Sequence, residues 1–470
     1  MLASLVGGQV AAGLVLRGAS DLWAQSVVLL VLIAGVSLLL CAAVLRGRMP
    51  IASRGPLAWA AALSALSLVS ACASPVAAYS LPAWAAAAAG LFLFPAATLL
   101  SSQARVRAER IIYAASWVLV LLAAHQRLDG VPRPPSALLN ANAFAGTILL
   151  LLPMAARRKD WVLTAGLLVC LWWTRSVGAW LGLSAAVLLH RRSVGPAAFW
   201  AGAAVGFAGL VAAYAKLHSP EVLHRVEWWM AAGRMAVSAP WLGLGPGSFA
   251  YALPAHVAAR PELNSLYAHS HFLETAAEKG WPYLLVWGAG LASMLRRAQP
   301  SRRFGPVAAL VHGLVDYPLS IPGIFWLFCL STALCLPESD EGAAVRGPRK
   351  IPAVAFVLVL AWLAGAWTRD NWRADRLRAK AAESFLAASE ALRPHPEAAR
   401  LRAQLLLSRA GEGDDVVAAG HLERAVAMDP YRASNWVLLE QVYSRLGRPA
   451  DAAAARARGA RSCPTLRGAP

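Results

Sequence analysis

The chain has 470 residues, of which 58% are hydrophobic and only 15% charged, with 19 tryptophans and a formal net charge of +19. A soluble domain carries roughly 25% charged residues to cover its surface, so this balance excludes an ordinary soluble, disordered or collagen-like chain and reads as a polytopic membrane protein. The excess of 44 Lys and Arg over 25 Asp and Glu would in a soluble protein point to nucleic acid, but here the basic residues cluster between apolar runs, where membrane topology is set, and no nucleic-acid partner is expected.

A bilayer core is crossed by about 20 apolar residues as helix. Thirteen candidate spans follow in chain order, at 2–16, 25–45, 57–74, 82–100, 111–125, 137–156, 161–174, 177–190, 196–215, 280–295, 305–317, 320–336 and 351–367. The expected fold class is therefore all-α, a polytopic bundle of about 12–13 transmembrane helices. The first run has no basic leader and no small-residue cleavage site, so it reads as a span rather than a cleaved signal. Six cysteines are present; Cys41, Cys72, Cys170, Cys329 and Cys335 lie in apolar runs and Cys463 in the tail, with no CxxC among them. That pattern supports neither a zinc site nor a disulfide framework.

Basic residues in short loops orient such a bundle, because cytoplasmic loops hold an excess of Lys and Arg. The alternate loops at 46–54, 105–110, 157–159, 191–192, 296–303 and 346–350 hold 18 of them, and the opposite short loops hold four, Arg17, Arg127, Arg133 and Arg175. The asymmetry predicts a cytoplasmic N-terminus. It divides the chain into helices over 1–215, an external loop over 216–279, helices over 280–367, and an external tail over 368–470.

The tail is Ala-, Leu- and Arg-rich. Trp436, Leu439, Tyr443 and Gly447 keep the offsets of a tetratricopeptide first helix, and Ala418, Leu422, Ala425 and Pro430 those of a preceding second helix and its terminator. A helical-repeat domain is expected, its conserved-type positions serving as core and any protein partner lying on the concave face.

The 216–279 loop is the long polar insertion between spans, and long ordered loops are usually functional. It holds five of the ten histidines, His218, His224, His256, His269 and His271, with Arg225, Arg234, Arg260 and Glu274. No HExxH or CxxC accompanies them, so no metal site and no cofactor are expected. Trp228 and Trp229 read as an interfacial anchor at the membrane surface. Gly243, Gly245 and Gly247 read either as a tight turn or as a backbone cradle for an anion. Asp316 and His312, near the outer end of their span, are costly there and read as pairing within the bundle ahead of catalysis. Asn140 and Asn142 read as links between helices, with contact to substrate also open.

These stretches resemble the bacterial O-antigen ligase and polymerase family, membrane glycosyltransferases that use undecaprenyl-diphosphate-linked glycans. The resemblance rests on Arg225-Val226-Glu227-Trp228-Trp229, on the Pro240–Phe249 turn with its glycines, and on His269-Ser270 ahead of Gly280 at the entry to the next span. Asn140-Ala141-Asn142-Ala143-Phe144 and Gly313-Leu314-Val315-Asp316-Tyr317-Pro318 extend it over roughly residues 135–335. The chain departs from the family pattern at Tyr283, where a second glycine is common, and at Thr174-Arg175-Ser176-Val177-Gly178, where the family has Ser-Arg-Gly after the Thr.

The resemblance implies transfer of a glycan from a lipid diphosphate to an acceptor hydroxyl, in the bacterial inner membrane with loop and tail in the periplasm. It implies His269 as base, Ser270 as its orienting donor, and Arg225, then Arg234 and Arg175, as diphosphate contacts, with Asn142 and Asp316 as substrate-side residues. Histidine, with an ordinary pKa near 6.5, accepts a proton near neutral pH, and arginine gives phosphate planar bidentate contacts. Three acceptors stay open: lipid A core for a ligase, a second carrier-linked repeat for a polymerase, and a protein hydroxyl for an oligosaccharyltransferase. Two readings outside this chemistry are a transporter of lipid-linked glycan and a non-catalytic assembly scaffold.

Overall fold

In an apolar surround every backbone N–H and C=O must be paired within its own segment, which leaves helix as the local solution for Ala-, Leu- and Val-rich runs. The computed structural model describes residues 1–50, 52–191, 195–215, 218–257, 263–337, 344–346, 350–463 and 466. In chain order the helices are α1 (Leu2–Val15), α2 (Leu22–Leu45), α3 (Arg54–Ala73), α4 (Ala77–Leu91), α5 (Leu93–Thr98), α6 (Ser102–Leu128) and α7 (Ala141–Arg157). They continue as α8 (Trp161–Thr174), α9 (Val177–Leu189), α10 (Pro196–Ala215), α11 (Pro220–Ser238), α12 (Phe249–Ala252), α13 (His271–Arg297), α14 (Phe304–Val315) and α15 (Pro322–Ala333). Helix α16 (Lys350–Arg378) leads into the tail, which holds α17 (Glu383–Leu392), α18 (Pro396–Arg409), α19 (Asp414–Met428), α20 (Ala433–Arg445) and α21 (Pro449–Ser462). Two short strands, β1 (Arg48–Pro50) and β2 (Ala344–Arg346), pair antiparallel.

Among the described residues, five helical segments are long and apolar enough to cross a membrane: α2, α3, the α4–α5 segment, α6 and α16. The six shorter apolar helices α1, α7, α8, α9, α14 and α15 have 12 to 17 residues, and those nearest the axis are enclosed by the others. Fourteen of the 17 residues of α7 are buried and ten of the 12 of α15, whereas α2 buries four of 24. An all-round apolar helix belongs in a core or in lipid, and these counts assign α7 and α15 to the core and α2 to the rim. A 12-residue helix such as α14 rises only about 18 Å, so Asp316, just beyond its end, sits within the thickness of the bundle.

Side-chain contacts sort the loops into two ends. At one, Glu109 meets Arg302 at 3.5 Å and Arg157 at 4.0 Å, Arg105 donates to the Leu336 carbonyl at 2.9 Å, and Arg303 bonds His190 at 3.0 Å. This is the end of the predicted basic loops, and Arg192 and Arg349 of that set lie outside the described residues. At the other end Arg133 donates to the Thr174 carbonyl at 2.9 Å, Arg225 to the Val315 carbonyl at 2.9 Å, and the amide of His271 to the carbonyl of Asp316 at 3.2 Å. The tail meets that same end: His395 packs edge-on against Tyr79, and Tyr431 packs against the apolar cluster that holds Phe249 and Leu253.

The boundary drawn at 367/368 falls inside α16, which runs unbroken into the tail. Polarity changes there, but Ala, Arg and Leu continue the helix with little loss of propensity. In the tail Trp436, Leu439 and Tyr443 pack with Ala418 and Leu422 in one apolar cluster, and Ala425 is buried as well.

The glycine-rich turn is structural. The amides of Leu244 and Gly245 donate to the carbonyls of Ala277 and Glu278 at 3.0 and 2.8 Å, and the amide of Trp281 returns to the Pro240 carbonyl at 2.9 Å. Gly243 and Gly280, both at positive φ, face each other's strands of chain so closely that a Cβ on either would collide with backbone. Two of the amides that an anion cradle would need are therefore already spent. Gly243→Ala is expected to cost about 2–4 kcal/mol, read as a lowered midpoint of thermal unfolding in detergent; an unchanged midpoint would show that the turn moves freely away from α13.

Candidate functional site

Asp316 organises the site. Tyr317 and Pro318 follow it, and proline cannot continue the helix, so Asp316 takes an extended conformation at the end of α14 (φ −152°, ψ 178°). Its carboxylate is 1% exposed and is approached from four elements. Oδ2 accepts from Asn142 Nδ2 at 2.8 Å and lies 3.5 Å from Arg225 Nη2, and Oδ1 accepts from the Tyr317 amide at 3.0 Å and lies 3.3 Å from His269 Nδ1. His312, fully buried one turn earlier in α14, places Nε2 3.8 Å from Oδ2. A buried carboxylate is tolerated only with such partners.

His269 is held by ring packing and by its backbone. Trp228 stacks on the imidazole with centroids 4.9 Å apart, and Tyr317 meets it edge-on at 4.7 Å. Trp229 Nε1 donates to the His269 carbonyl at 3.0 Å, and Trp228 Nε1 to the Leu263 carbonyl at 2.6 Å. His269 has φ +52°, a left-handed conformation that is uncommon for a side-chain-bearing residue, costs energy and persists only where its surroundings enforce it. The neighbouring amides of Ala268 and His271 are tied to Glu274 Oε2 at 2.7 Å and to the Asp316 carbonyl. The tryptophan pair thus holds the histidine loop while both rings stay partly exposed.

Arg225 and Asn142 join His269 around Asp316, as do His312 and Tyr317. Arg225 spends Nη1 on Val315 and Nη2 on Asp316, and its side chain stays 26% exposed. Asn140 caps α7 by accepting from the Ala143 amide at 2.9 Å and bonds the Tyr317 hydroxyl. Arg133, read in the sequence only as a topology residue, links Asn142 Oδ1 at 3.0 Å to the Thr174 carbonyl. Its setting, Pro132-Arg133-Pro134-Pro135 just ahead of Asn140 and Asn142, is a local signal that the chain direction there is fixed. Arg175, next along from Thr174, is exposed at positive φ.

Other expected residues lie apart from this cluster. Arg234 donates to the His256 carbonyl at 3.0 Å on the far side of α11. Ser270 caps α13 by accepting from the Leu273 amide at 3.5 Å, which engages its hydroxyl away from His269. His218 is exposed, His224 tilts against Trp228 at 6.1 Å, and Arg260 lies outside the described residues. Among the described residues no group of three or more His, Cys, Asp or Glu is placed to hold a metal ion.

The first turns of α13 carry a second set of buried groups. Burial pushes the His271 imidazole down to about 3, helped by Lys279, and pushes the Glu274 carboxyl up to about 8, helped by Glu278. A carboxyl that holds its proton more tightly when folded contributes stability that is complete below its ordinary value of 4.5 and is lost as pH rises toward 8. Glu274→Gln is therefore expected to be close to neutral at pH 5 and to raise the thermal midpoint above pH 8. Equal midpoints at both pH values would show that Glu274 is already ionised when folded.

Residues 143–288 match the family described as O-antigen ligase. The matched stretch runs from α7 into α13 and contains Arg175, Arg225, Arg234, His269 and Ser270; Asn142 lies one residue before it, and Asp316 beyond it. No curated protein matches the chain. Residues 143–288 make up about a third of its length, and the chain is in this respect similar to O-antigen ligases, with the multi-pass helical architecture of a membrane protein around the matched part.

Proposed function

We propose that the protein is a membrane glycosyltransferase that moves a glycan from an undecaprenyl diphosphate carrier to an acceptor hydroxyl at the end of the bundle bearing the 216–279 loop, which on the positive-inside asymmetry is the periplasmic face. The observation that carries this reading is His269 clamped between Trp228 and Tyr317, with Nδ1 3.3 Å from the buried Asp316 carboxylate. A carboxylate close to one ring nitrogen supports the positive charge that forms when the other takes a proton. In this reaction the acceptor O–H proton passes to His269 Nε2, the acceptor oxygen bonds to the anomeric carbon, and the bond from that carbon to the diphosphate oxygen breaks. Arg225, still partly exposed beside Asp316, and Arg133 and Arg175 at the rim supply guanidinium groups for the departing diphosphate. The match over residues 143–288 supports the same class of chemistry.

The test is transfer of a labelled glycan from its carrier lipid in membranes that contain the protein, with EDTA in a parallel sample. Product that forms equally in both samples is the expected result, and the nature of the labelled product, lipid A core, lengthened carrier glycan or protein, distinguishes ligase, polymerase and oligosaccharyltransferase. No product with any of the three acceptors would overturn the reading. Loss of transfer with EDTA would assign the reaction a metal.

A further inference from the structure

A chamber of about 850 Å³ lies between the bundle and the tail, and none of Arg225, His269 or Asp316 lines it. Tyr267 does, and it stacks on Tyr317 at 4.2 Å, the same ring that meets His269 edge-on. A partition of two tyrosine rings thus separates the chamber from the histidine. One wall is the buried polar turn of α13, with His271, Glu274, Glu278 and Lys279; another is Tyr79 stacked on Tyr251 at 3.7 Å. The tail closes it with Asn371, Arg378 and His395.

The size is that of a small-molecule site, about 300–1,000 Å³. Its chemistry is mixed and close to balanced. Asp375 and Arg378 pair at 3.0 Å, the two histidines are kept uncharged by burial, burial holds the proton on Glu274, Glu278 lies next to Lys279, and Arg393 and Glu397 add one charge of each sign. Such walls hold no surplus positive charge for a phosphate and none of either sign for an ionic ligand. They offer aromatic faces next to carboxylate, amide and ammonium groups, which suits a molecule that presents apolar C–H faces and many hydroxyls. Lys279 makes no ion pair among the described residues and rests over the ring of Tyr283 at 5.1 Å. Tyr283 therefore has a use that glycine could not supply there.

We infer that this chamber is a second binding site, for a short neutral saccharide, built jointly by α13, the α3–α4 corner and the tail. The choice of ligand rests on the transfer reading, and the saccharide could belong either to the carrier-linked donor or to the acceptor. The tail on this view is a wall of the site rather than a freestanding module.

The test uses the full-length protein in detergent and isothermal titration with two probes: the glycan released by mild acid from the carrier lipid, and the oligosaccharide released from the acceptor lipid. Saturable binding of one probe is expected, and it names the source. Asn371→Trp, which fills the chamber from the tail, and Lys279→Met, which removes the ammonium and keeps its length, are each expected to weaken binding tenfold or more. His269→Asn is expected to bind as the native protein does while failing to transfer. Binding of neither probe, or native-like binding by both chamber variants, overturns the inference. Intact transfer alongside any of those outcomes leaves the transfer reading standing, and saccharide binding without any transfer does the reverse.

Discussion

His269→Asn is expected to lower glycan transfer by on the order of a hundredfold to ten-thousandfold, the usual contribution of a general base, with little change in the thermal midpoint. Asparagine is the informative replacement because it adopts the left-handed conformation that His269 requires (φ +52°) at low cost, so the loop between Trp229 and Asp316 keeps its path. His269→Val removes the same imidazole but adds a β-branched residue where that backbone is strained, and a lowered midpoint is expected in addition to the lost transfer. If the asparagine variant transfers at the native rate, His269 is a packing residue and the acceptor proton leaves by another route.

Asp316 separates charge from structure. Asp316→Asn keeps one oxygen for the Tyr317 amide at the Oδ1 position, turns an NH2 toward the Asn142 amide that donates to Oδ2, and removes the negative charge behind His269 and Arg225. Transfer is expected to fall at least a hundredfold with a modest loss of stability. Asp316→Ala leaves the guanidinium, the imidazole and the Asn142 amide facing a void, and breaking a buried charge pair from one side costs about 3–5 kcal/mol, so a much lower thermal midpoint is expected along with the lost transfer. The two variants are compared by unfolding in detergent and by rate on the same preparations. Equal midpoints would mean that the donors around Asp316 find other partners, and native transfer by Asp316→Asn would mean that the charge has no part in the reaction.

Much of the helix pattern is legible from apolarity alone, because a helix buried on every side needs no special residue beyond its ends. The two sets of loops are read from charge, and the structure brings the 105–110, 157–159 and 296–303 loops of the basic set together through Glu109 and its arginines. The grouping of Arg225, His269, Asn142 and Asp316 is a different matter. Their contacts join positions 91 and 174 residues apart, and no local periodicity encodes such a distance; histidine enrichment and family resemblance point to the residues but not to their meeting. The part that Trp228 and Trp229 play in holding His269 is hidden for a related reason, since tryptophan beside a membrane reads first as an anchor and its loop partners lie 35 and 40 residues on. Arg133 is hidden by its own usefulness to topology. The glycine turn, open in the sequence to two readings, is settled by where its amides go, and the continuity of α16 across the polarity change at residue 368 is invisible to hydropathy.

The distance in sequence between Asn142 and Asp316 also sets when the site exists. A ribosome adding about 5–20 residues each second takes on the order of ten seconds or more to pass from one to the other, and α7 and α8 are in the bilayer before α14 has been made. Throughout that interval Asn142 has no carboxylate to meet and the loop that carries His269 has nothing to hold it down. A nascent chain halted anywhere before α14 therefore carries the His269 loop without the carboxylate around which it is organised.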